Sequence, residues 1–495
     1  MAAKAAHSHC IALSVVYGIT PCVLKVCPQA HLAELRSPCL THPHPHNDES
    51  MSMDRKLSTS ERYKVLLALT ACAAFFLRFL AANGEWIKPH LWGDSTHYMY
   101  YAYNLYQHSV FSSSPIDTPH PLADGFDSPA YPFFVSLFIR FGGGHWFTKL
   151  LVFQCLLGTL TVVVSAALAR RIFGHAAALG VALVIAFWPH LVVISAWVLT
   201  ETLFGALLIT GLWMSVRLAE RGGKIAAVGT GFVWGLAALT NPVATLMPAL
   251  LAVPIARIRG WRLAALMVLA GSLLPAAWGV RNYSLPTASS STGRALMNFV
   301  QGSWPEYHRA IHIGRTPQEA AIAGLINQQI AVTVDHPAAG FAQIGQRLAG
   351  DPARYLQWYL LQKPYLLWDW RIRVGAGGPD GIEVAPLVHS PYRFIPLLGL
   401  SLDVYRALNP LVFVLALLGI LWTARRWAEH TPALVFAAIT AVYATVVYSV
   451  LQAEPRYSIP YRPLEILLAF AGVVMIRKMV HLIWRSKHRA LLDTR

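Results

Sequence analysis

The sequence has 495 residues, of which 55% are apolar and only 13% charged, and it carries a formal net charge of +16. Globular chains carry roughly a quarter charged residues, so this composition excludes a disordered chain and argues against a water-soluble enzyme. Lysines and arginines lie in short clusters between long apolar runs, which indicates membrane topology rather than nucleic-acid binding.

The first 52 residues differ in kind from the rest. They contain the His-rich stretch 41–48 and four of the six cysteines. A metal-binding tail is one interpretation, and the apolar stretch 10–19 is similar to part of a signal peptide, although no clear small-x-small cleavage site follows it. We predict instead that residues 1–52 are a disordered tail, or that translation starts at Met51 or Met53.

Ten apolar runs follow, and a spanning helix needs about 20 mostly apolar residues. The runs are 63–83, 147–169, 175–194, 198–216, 225–240, 243–257, 261–279, 409–424, 431–451 and 461–480. Two of them, 243–257 and 409–424, are short enough to be tilted, re-entrant or longer than drawn. The pattern predicts an all-α polytopic membrane protein with a transmembrane module over 53–480 and a basic cytoplasmic tail over 481–495.

The basic residues predict the orientation of this module. If the start of the first run lies inside, every inner turn is basic, and the short outer turns hold only Arg456 and Arg462. Two long segments, about 84–146 and 280–408, then lie outside, and loops of that length are usually functional. Aromatic stretches in these loops predict helices on the membrane surface: 98–107, 131–141 and 355–370.

Two acidic residues near the outer face are candidates for chemistry, because burying charge in a membrane is costly. Asp94 opens the aromatic stretch DSTHYMYYAYNL. Its carboxylate can take a proton from an attacking hydroxyl or amine, or it can merely cap a helix. Glu201 opens the fourth run, where it can act in the same site or complement the helix dipole. His97 is expected to be an ordinary helix residue.

Basic residues near the same face are candidates for binding phosphate. Arg456 and Arg462 lie in the last outer turn, against the orientation rule, and a bound phosphate would explain both. Snorkelling to lipid headgroups is the alternative. Lys363, Arg281 and Arg78 also fall near the outer face, where each can contact an anionic group or anchor the chain.

Motifs of other enzyme classes are missing from the sequence. It has no P-loop, GxGxxG, GxSxG, HExxH or C-x-x-C pattern. His308 and His312 are four residues apart, but no Glu follows His308, so we expect both to be ordinary loop residues. This argues against a nucleotide-driven pump and the common hydrolases. It fits an enzyme whose energy arrives in an activated lipid substrate.

Six segments, in this order, resemble the bacterial GT-C glycosyltransferases related to dolichyl-phosphate-mannose–protein mannosyltransferase and to the lipid A aminoarabinose transferase. They are GDSTHYMYYAYNL, DSPAYPFFVSLFIRFGG, LARRIFGHAAALGVALVIAFWPHLVVISAWVLTETLFG, LTNP, PAAWGVRNY and EPRYSIPYRP. Together they span about 78–465, which is most of the chain. Each motif is weakly specific, and their order and spacing carry the resemblance.

The resemblance implies a GT-C type helix bundle that transfers a sugar from a polyprenyl phosphate, with inversion, to a glycan, lipid or protein acceptor. The site would face the periplasm of a bacterial inner membrane. By the same resemblance, Asp94 matches the catalytic base, Glu201 the acid opening the fourth helix, and Arg456 a position near the donor phosphate. Lys363 is a looser match. Many relatives have Asp-Glu where this chain has Asp94-Ser95, which leaves a divalent cation open and implies no other cofactor.

Two other function classes were weighed against this one. A transporter or lipid flippase would favour inverted repeats and paired charges at mid-membrane, whereas the notable charges here lie at the outer face. A scaffold subunit would not need the two outer acids. The leading hypothesis is therefore a hexosyl- or pentosyltransferase that uses a lipid-phosphate sugar and has no nucleic-acid partner.

Overall fold

The computed structural model describes residues 58–83, 93–286, 289–313, 316–372 and 391–493. The tail predicted over 1–52 lies outside these ranges. Within them no strand occurs, only an isolated bridge between Gly125 and Ser290, so the all-α prediction is confirmed.

The helices are numbered in chain order. The first ten are α1 (Thr59–Asn83), α2 (Asp94–His108), α3 (Ala130–Phe141), α4 (Trp146–Phe173), α5 (His175–Phe187), α6 (Pro189–Val193), α7 (Glu201–Arg221), α8 (Lys224–Thr240), α9 (Met247–Arg259) and α10 (Trp261–Asn282). The others are α11 (Ser291–Gly302), α12 (Pro317–Asp335), α13 (Pro337–Gly350), α14 (Pro352–Gln357), α15 (Lys363–Leu367), α16 (Pro391–Phe394), α17 (Pro396–Arg425), α18 (Pro432–Val450), α19 (Pro455–Ser458) and α20 (Arg462–Asp493).

All ten predicted apolar runs correspond to helices. Among the described residues, eight helices are long and apolar enough to cross a membrane, and a bent pair is a ninth candidate. The remaining run is the shorter apolar helix Lys224–Thr240. The chain is therefore an integral membrane protein. The run 409–424 belongs to a longer helix, one of the possibilities given above, because that helix begins at Pro396 and extends 30 residues.

The third predicted run is bent rather than straight. Helices His175–Phe187 and Pro189–Ala196 meet at 63°. Proline disfavours helical backbone in the residue before it, and Trp188 is extended, with φ −64° and ψ 115°. The bend places the chain before Glu201 deep in the protein, where Ile194 to Leu199 are all buried.

The three aromatic stretches of the predicted outer loops are helical, as predicted, in α2, in α3 and in the continuous segment α14–α15. In α3, Tyr131, Val135 and Ile139 are buried at four-residue spacing. Tyr131 packs edge-on against Tyr98 of α2, with ring centroids 5.4 Å apart. Helices α2 and α3 therefore pack against each other next to Asp94, the first residue of α2.

Glycines allow two helix pairs to cross closely. A Cβ on Gly231 of α8 would lie 2.3 Å from the carbonyl oxygen of Met267 in α10, and one on Gly419 of α17 would lie 2.1 Å from that of Leu468 in α20. Small residues at such crossings let membrane helices pack backbone to backbone. A side chain at either position would push the helices apart.

The predicted inner turns meet at one end of the bundle. Arg171 at the end of α4 lies 3.0 Å from Glu220 of α7. Arg259 of α9 donates to the carbonyl oxygen of Ala219 at 2.8 Å. Three turns predicted to be on the same side are therefore neighbours. Asp94 and Glu201 belong to the opposite end.

Candidate active site

Three predicted site residues from distant parts of the chain meet at one point. Arg456, in α19, donates through Nη2 to Oδ2 of Asp94 at the start of α2. Its Nε lies 3.1 Å from Oε1 of Glu201 at the start of α7. One guanidinium therefore bridges two carboxylates that lie 107 residues apart in the sequence. Charged groups that leave water are stable only when they are paired in this way.

Asp94 is not a helix cap. Gly93 occupies the cap position of α2, with φ 57°, and the cap makes no side-chain hydrogen bond. The Asp94 side chain instead turns to Arg456 and remains 35% exposed. Burial alone would raise the pKa of Asp94, but the positive charges of Arg456 and Arg294 outweigh it and hold the pKa at about 2. The resting site therefore contains an ionised Asp94.

Glu201 is more deeply enclosed than Asp94. Its side chain is only 7% exposed, and Thr200, at the cap of α7, makes no side-chain cap hydrogen bond. Its first-turn position favours a negative charge through the helix dipole. Glu201 therefore lies where it can complement the dipole of α7, and it also pairs with Arg456.

Two cavities meet at Arg456. The first, of about 410 Å³, has Asp94 on its wall. The second, of about 540 Å³, has Glu201 on its wall. Their shared wall consists of Phe126, Arg294, Asn298, Gln452, Arg456 and Tyr457. Both walls mix polar and apolar residues; we call the first, which contains Asp94 and Asp127, the polar chamber, and the second, which contains Val243, Leu246 and Val447, the apolar chamber.

The polar chamber contains acidic residues and a histidine that the apolar chamber lacks. Besides Asp94, the polar chamber is lined by Asp127, His97, Gln301 and Trp197. Hydrogen-bonding groups beside an indole face are typical of a site for a polar ligand.

The apolar chamber lies between the turn 241–246, which precedes α9, and α18. Its wall includes Val243, Leu246 and Val447. The Tyr443 hydroxyl of α18 donates to the Val243 carbonyl at 2.7 Å and closes the back of this chamber. Leu246 is 57% exposed, so the apolar wall reaches the outer surface of the helix bundle.

Sequence reasoning missed a second cation at the shared wall. Arg294 of α11 pairs with the buried carboxylate of Asp127. Arg294, Asn298 and Gln301 follow the helical spacing i, i+4, i+7 and so share one face of α11. That polar periodicity, directly after the helix-capping Ser290, is the signal that could have identified them.

Lys363 lies away from the shared wall. It is fully buried, and its ammonium donates to the carbonyl oxygens of Gly302 at 2.9 Å and Leu451 at 2.6 Å. The ring of Tyr359 lies 4.5 Å from its Nζ. Burial lowers the pKa of Lys363 to about 7. In the described residues it ties the second outer segment to the end of α18, and it lines neither chamber.

Arg281 and Arg78 also lie off the shared wall. Arg281 donates to the backbone carbonyl of Asp124 and stacks over Trp278 at 4.8 Å, which fastens the first outer loop to the end of α10. Arg78 is buried within the bundle and donates to the carbonyls of Ala74 and Ala186 at 3.0 and 3.2 Å. Arg78 does share a separate small cavity with Glu201.

Three further residues were weighed from the sequence. Arg462 is buried against Glu465, at 2.7 Å, and lines neither chamber. His97 lies on the polar chamber, 3.7 Å from Asp127. His308, which was predicted to be an ordinary loop residue, is buried, with its ring 3.3 Å from Glu454. Within the described ranges, no group of three or more His, Cys, Asp or Glu side chains is arranged to hold a metal ion.

Comparison with known proteins shows that part of the chain is similar to one protein family. Residues 120–277 match the family model of dolichyl-phosphate-mannose-protein mannosyltransferase. The segment is about a third of the chain, and it includes Glu201 and the bent third span. This match confirms the predicted resemblance to that family over residues 120–277. No curated protein matches the chain.

Solved structures also match the chain at low identity. ArnT from Cupriavidus metallidurans bound to undecaprenyl phosphate is 17% identical, with a TM-score of 0.45; the match covers 84% of this chain and 60% of that one. The apo oligosaccharyltransferase of Archaeoglobus fulgidus is 15% identical, with a TM-score of 0.45, over 87% of this chain and 52% of that one. This chain therefore spans about half to three fifths of the solved proteins' length.

Proposed function

We propose that the protein is a membrane glycosyltransferase that moves a sugar from a polyprenyl-phosphate donor to an acceptor hydroxyl or amine, with inversion. The observation that carries the proposal is Arg456, held between Asp94 and Glu201 at the wall between a polar and an apolar chamber. The family match over 120–277 supports a lipid-phosphate sugar as donor. We propose a bacterial inner membrane with the site facing the periplasm, as the basic inner turns predict.

The donor fits the two chambers in one orientation. A polyprenyl chain is apolar and would occupy the apolar chamber, entering past the exposed Leu246. Its phosphate would then meet Arg456 and Arg294 at the shared wall. Arginine presents a planar fork of donors suited to phosphate oxygens. The sugar would project into the polar chamber, toward Asp94 and Trp197.

The transfer step follows from this placement. The acceptor oxygen or nitrogen attacks C1 of the sugar and forms the new glycosidic bond. The bond from C1 to the phosphate oxygen breaks, and the electron pair leaves with polyprenyl phosphate. Asp94 takes the acceptor proton, while Arg456 and Arg294 stabilise the charge that develops on the leaving phosphate. Attack from the side opposite the phosphate inverts C1.

Arg456 would also control the strength of the base. A carboxylate with a pKa of about 2 is a weak base, because its pKa is far below the working pH. A donor phosphate would draw part of the guanidinium away from Asp94 and so raise the pKa of that carboxyl. The base would thus become effective only when the donor is bound, which protects the donor from idle hydrolysis.

Glu201 would keep Arg456 in place during this exchange. It faces Nε, whereas Asp94 accepts from Nη2. With Nε held by Glu201, the two Nη groups stay directed toward the chambers. Lys363, Arg281 and Arg78 were predicted to bind the donor phosphate, and their positions favour support of the surrounding backbone instead.

The test is purified protein in liposomes, supplied with polyprenyl-phosphate sugars labelled in the sugar and with extracts that contain acceptors. We expect label to pass from lipid to a new product, at a rate that depends on Asp94. Movement of intact labelled donor between leaflets, without transfer, would instead support the flippase alternative. Absence of both activities with every donor would contradict the proposal.

A further inference from the structure

A small cavity lies beside Glu201 and shares Glu201 and Pro460 with the apolar chamber. It has a volume of about 20 Å³ and is lined by Arg78, Gly158, Thr161, Leu191, Ile194, Ser195, Glu201, Thr202, Gly205, Ile459 and Pro460. Every one of these residues is buried. The volume suits a single water, which needs at least about 10–15 Å³ and two to four polar partners.

Two polar atoms on this cavity have no partner within the described part of the chain. They are Nε of Arg78 and the Oγ of Ser195. Both residues are almost completely buried, Arg78 at 1% exposed and Ser195 at 0%. An unsatisfied polar group of this kind is costly, so the two atoms point to a ligand between them.

The buried positive charge of Arg78 also points to a ligand in this cavity. Among the described residues, its Nη1 donates hydrogen bonds only to two backbone carbonyls, and a buried charge normally has an opposite charge as its partner. Glu201 is the one acid among the residues that line the cavity. A cavity with a cation, a carboxylate and a hydroxyl on its wall suits a neutral ligand with both donors and acceptors.

We infer that this cavity binds one water, which accepts a hydrogen bond from Arg78 Nε and donates one to Glu201, with Ser195 as a third partner. Arg78 is then a positioning residue and the second counter-ion of Glu201. This role rests on the proposed function in one respect. When Arg456 turns to the donor phosphate, Arg78 keeps Glu201 compensated, so Glu201 continues to hold Nε of Arg456.

Gly158 is the residue that leaves room for the water. A Cβ there would lie 2.5 Å from Arg78 Nε and 3.0 Å from Ser195 Oγ. Because the nearer atom is in the middle of a fully buried side chain, it cannot easily move aside. We therefore expect Gly158→Ala to displace both the water and the guanidinium.

The direct test is a high-resolution cryo-EM map of the wild-type protein in a lipid nanodisc. We expect density for one water within hydrogen-bond distance of Arg78 Nε, Ser195 Oγ and the Glu201 carboxylate. An empty cavity in a map that resolves other buried waters would overturn the inference, as would density for a bound anion. This test does not require a variant to fold or transfer activity to exist.

A double-mutant cycle gives a second readout. We expect Arg78→Met and Glu201→Gln each to lower the melting temperature, and the double variant to lose less than the sum of the two. The control cycle pairs Glu201→Gln with Arg462→Met, because Arg462 has its own partner in Glu465; there we expect the losses to add. Additive losses for Arg78 and Glu201 would overturn the inference. The cycle measures stability, so its outcome does not depend on whether the proposed catalytic function is correct.

Discussion

Arg456 and Arg462 lie six residues apart in the same turn, AEPRYSIPYRP, and the structure gives them opposite surroundings. Arg462 is enclosed by Glu465, Asn409 and the backbone carbonyls of Trp368 and Asp369, with no chamber beside it. Arg456 has two acids as partners and two chambers at its side. Both residues are buried, at 6% and 1% exposed, so burial does not distinguish them.

The two guanidinium groups differ in whether they could exchange a partner within the protein for a ligand oxygen. The partners of Arg462 are fixed backbone and side-chain groups around it, so it braces α17, α20 and the segment after α15. Arg456 can give up Asp94 for a ligand oxygen that arrives through either chamber. An arginine between exchangeable acids beside open space is suited to binding, whereas one surrounded by fixed acceptors is suited to stability.

The largest expected effect is that of replacing Asp94, the acid that Arg456 would release when the donor binds. Asp94→Asn keeps the side-chain volume but cannot take up the acceptor proton, so we expect kcat to fall roughly 10²–10⁴-fold. Arg456 keeps Glu201 as a partner in this variant, so we expect the melting temperature to fall less than in Arg462→Met. Asp351→Asn is the matched control, since Asp351 only caps α14 by accepting from the Arg354 amide at 3.2 Å. Wild-type kcat in Asp94→Asn would remove Asp94 as the base.

Arg462→Met should affect folding rather than catalysis. The change leaves Glu465 buried without its ion pair, and breaking such a pair costs about 3–5 kcal/mol. We expect a lower melting temperature and less folded protein, with the donor KM of the folded fraction unchanged. A raised donor KM with normal stability would place Arg462 in the site and erase the contrast with Arg456.

Arg456→Lys keeps the charge but loses the planar fork. A charge-assisted hydrogen bond contributes about 1.5–3 kcal/mol. We therefore expect the donor KM to rise by a factor of about 10–150, with the protein still folded. Steady-state kinetics over a donor series measures this, and an unchanged donor KM would show that the phosphate binds elsewhere.

Lys363 gives an effect of a different kind, a pH dependence of stability. Its pKa of about 7 in the folded protein lies below the usual value near 10.4. The unfolded chain therefore holds the additional proton between about pH 7 and pH 10, and the stability of the wild type rises with pH across that window.

Lys363→Met lacks this group, so we expect the wild type to gain in melting temperature relative to Lys363→Met as the pH rises. The exposed Lys224, at the start of α8, provides the control variant Lys224→Met, whose melting curve should run parallel to that of the wild type. Parallel curves for Lys363→Met as well would contradict an uncompensated buried ammonium.

The sequence was sufficient to predict the membrane-spanning segments, because hydropathy is a local property. Each of the ten predicted apolar runs corresponds to a helical segment. It was also sufficient to nominate Asp94, Glu201 and Arg456, since each is a charge beside a span at the same end of the bundle. It could not separate Arg456 from Lys363, because the carbonyl oxygens that hold Lys363 come from residues 61 and 88 positions away. Arg294 was missed because its partner Asp127 lies in another loop.

The most direct test of the central claim is the dissociation constant of a polyprenyl-phosphate sugar measured as a function of pH. The phosphate diester keeps its charge between about pH 6 and pH 4, where carboxyl groups of ordinary pKa take up protons. If the phosphate draws Arg456 away from Asp94, the pKa of Asp94 rises on binding, and binding takes up a proton. We predict that the wild type binds the donor several-fold more tightly as the pH falls, and that Asp94→Asn does not. Equal pH dependence in the two proteins would contradict the exchange of Arg456 between Asp94 and the donor.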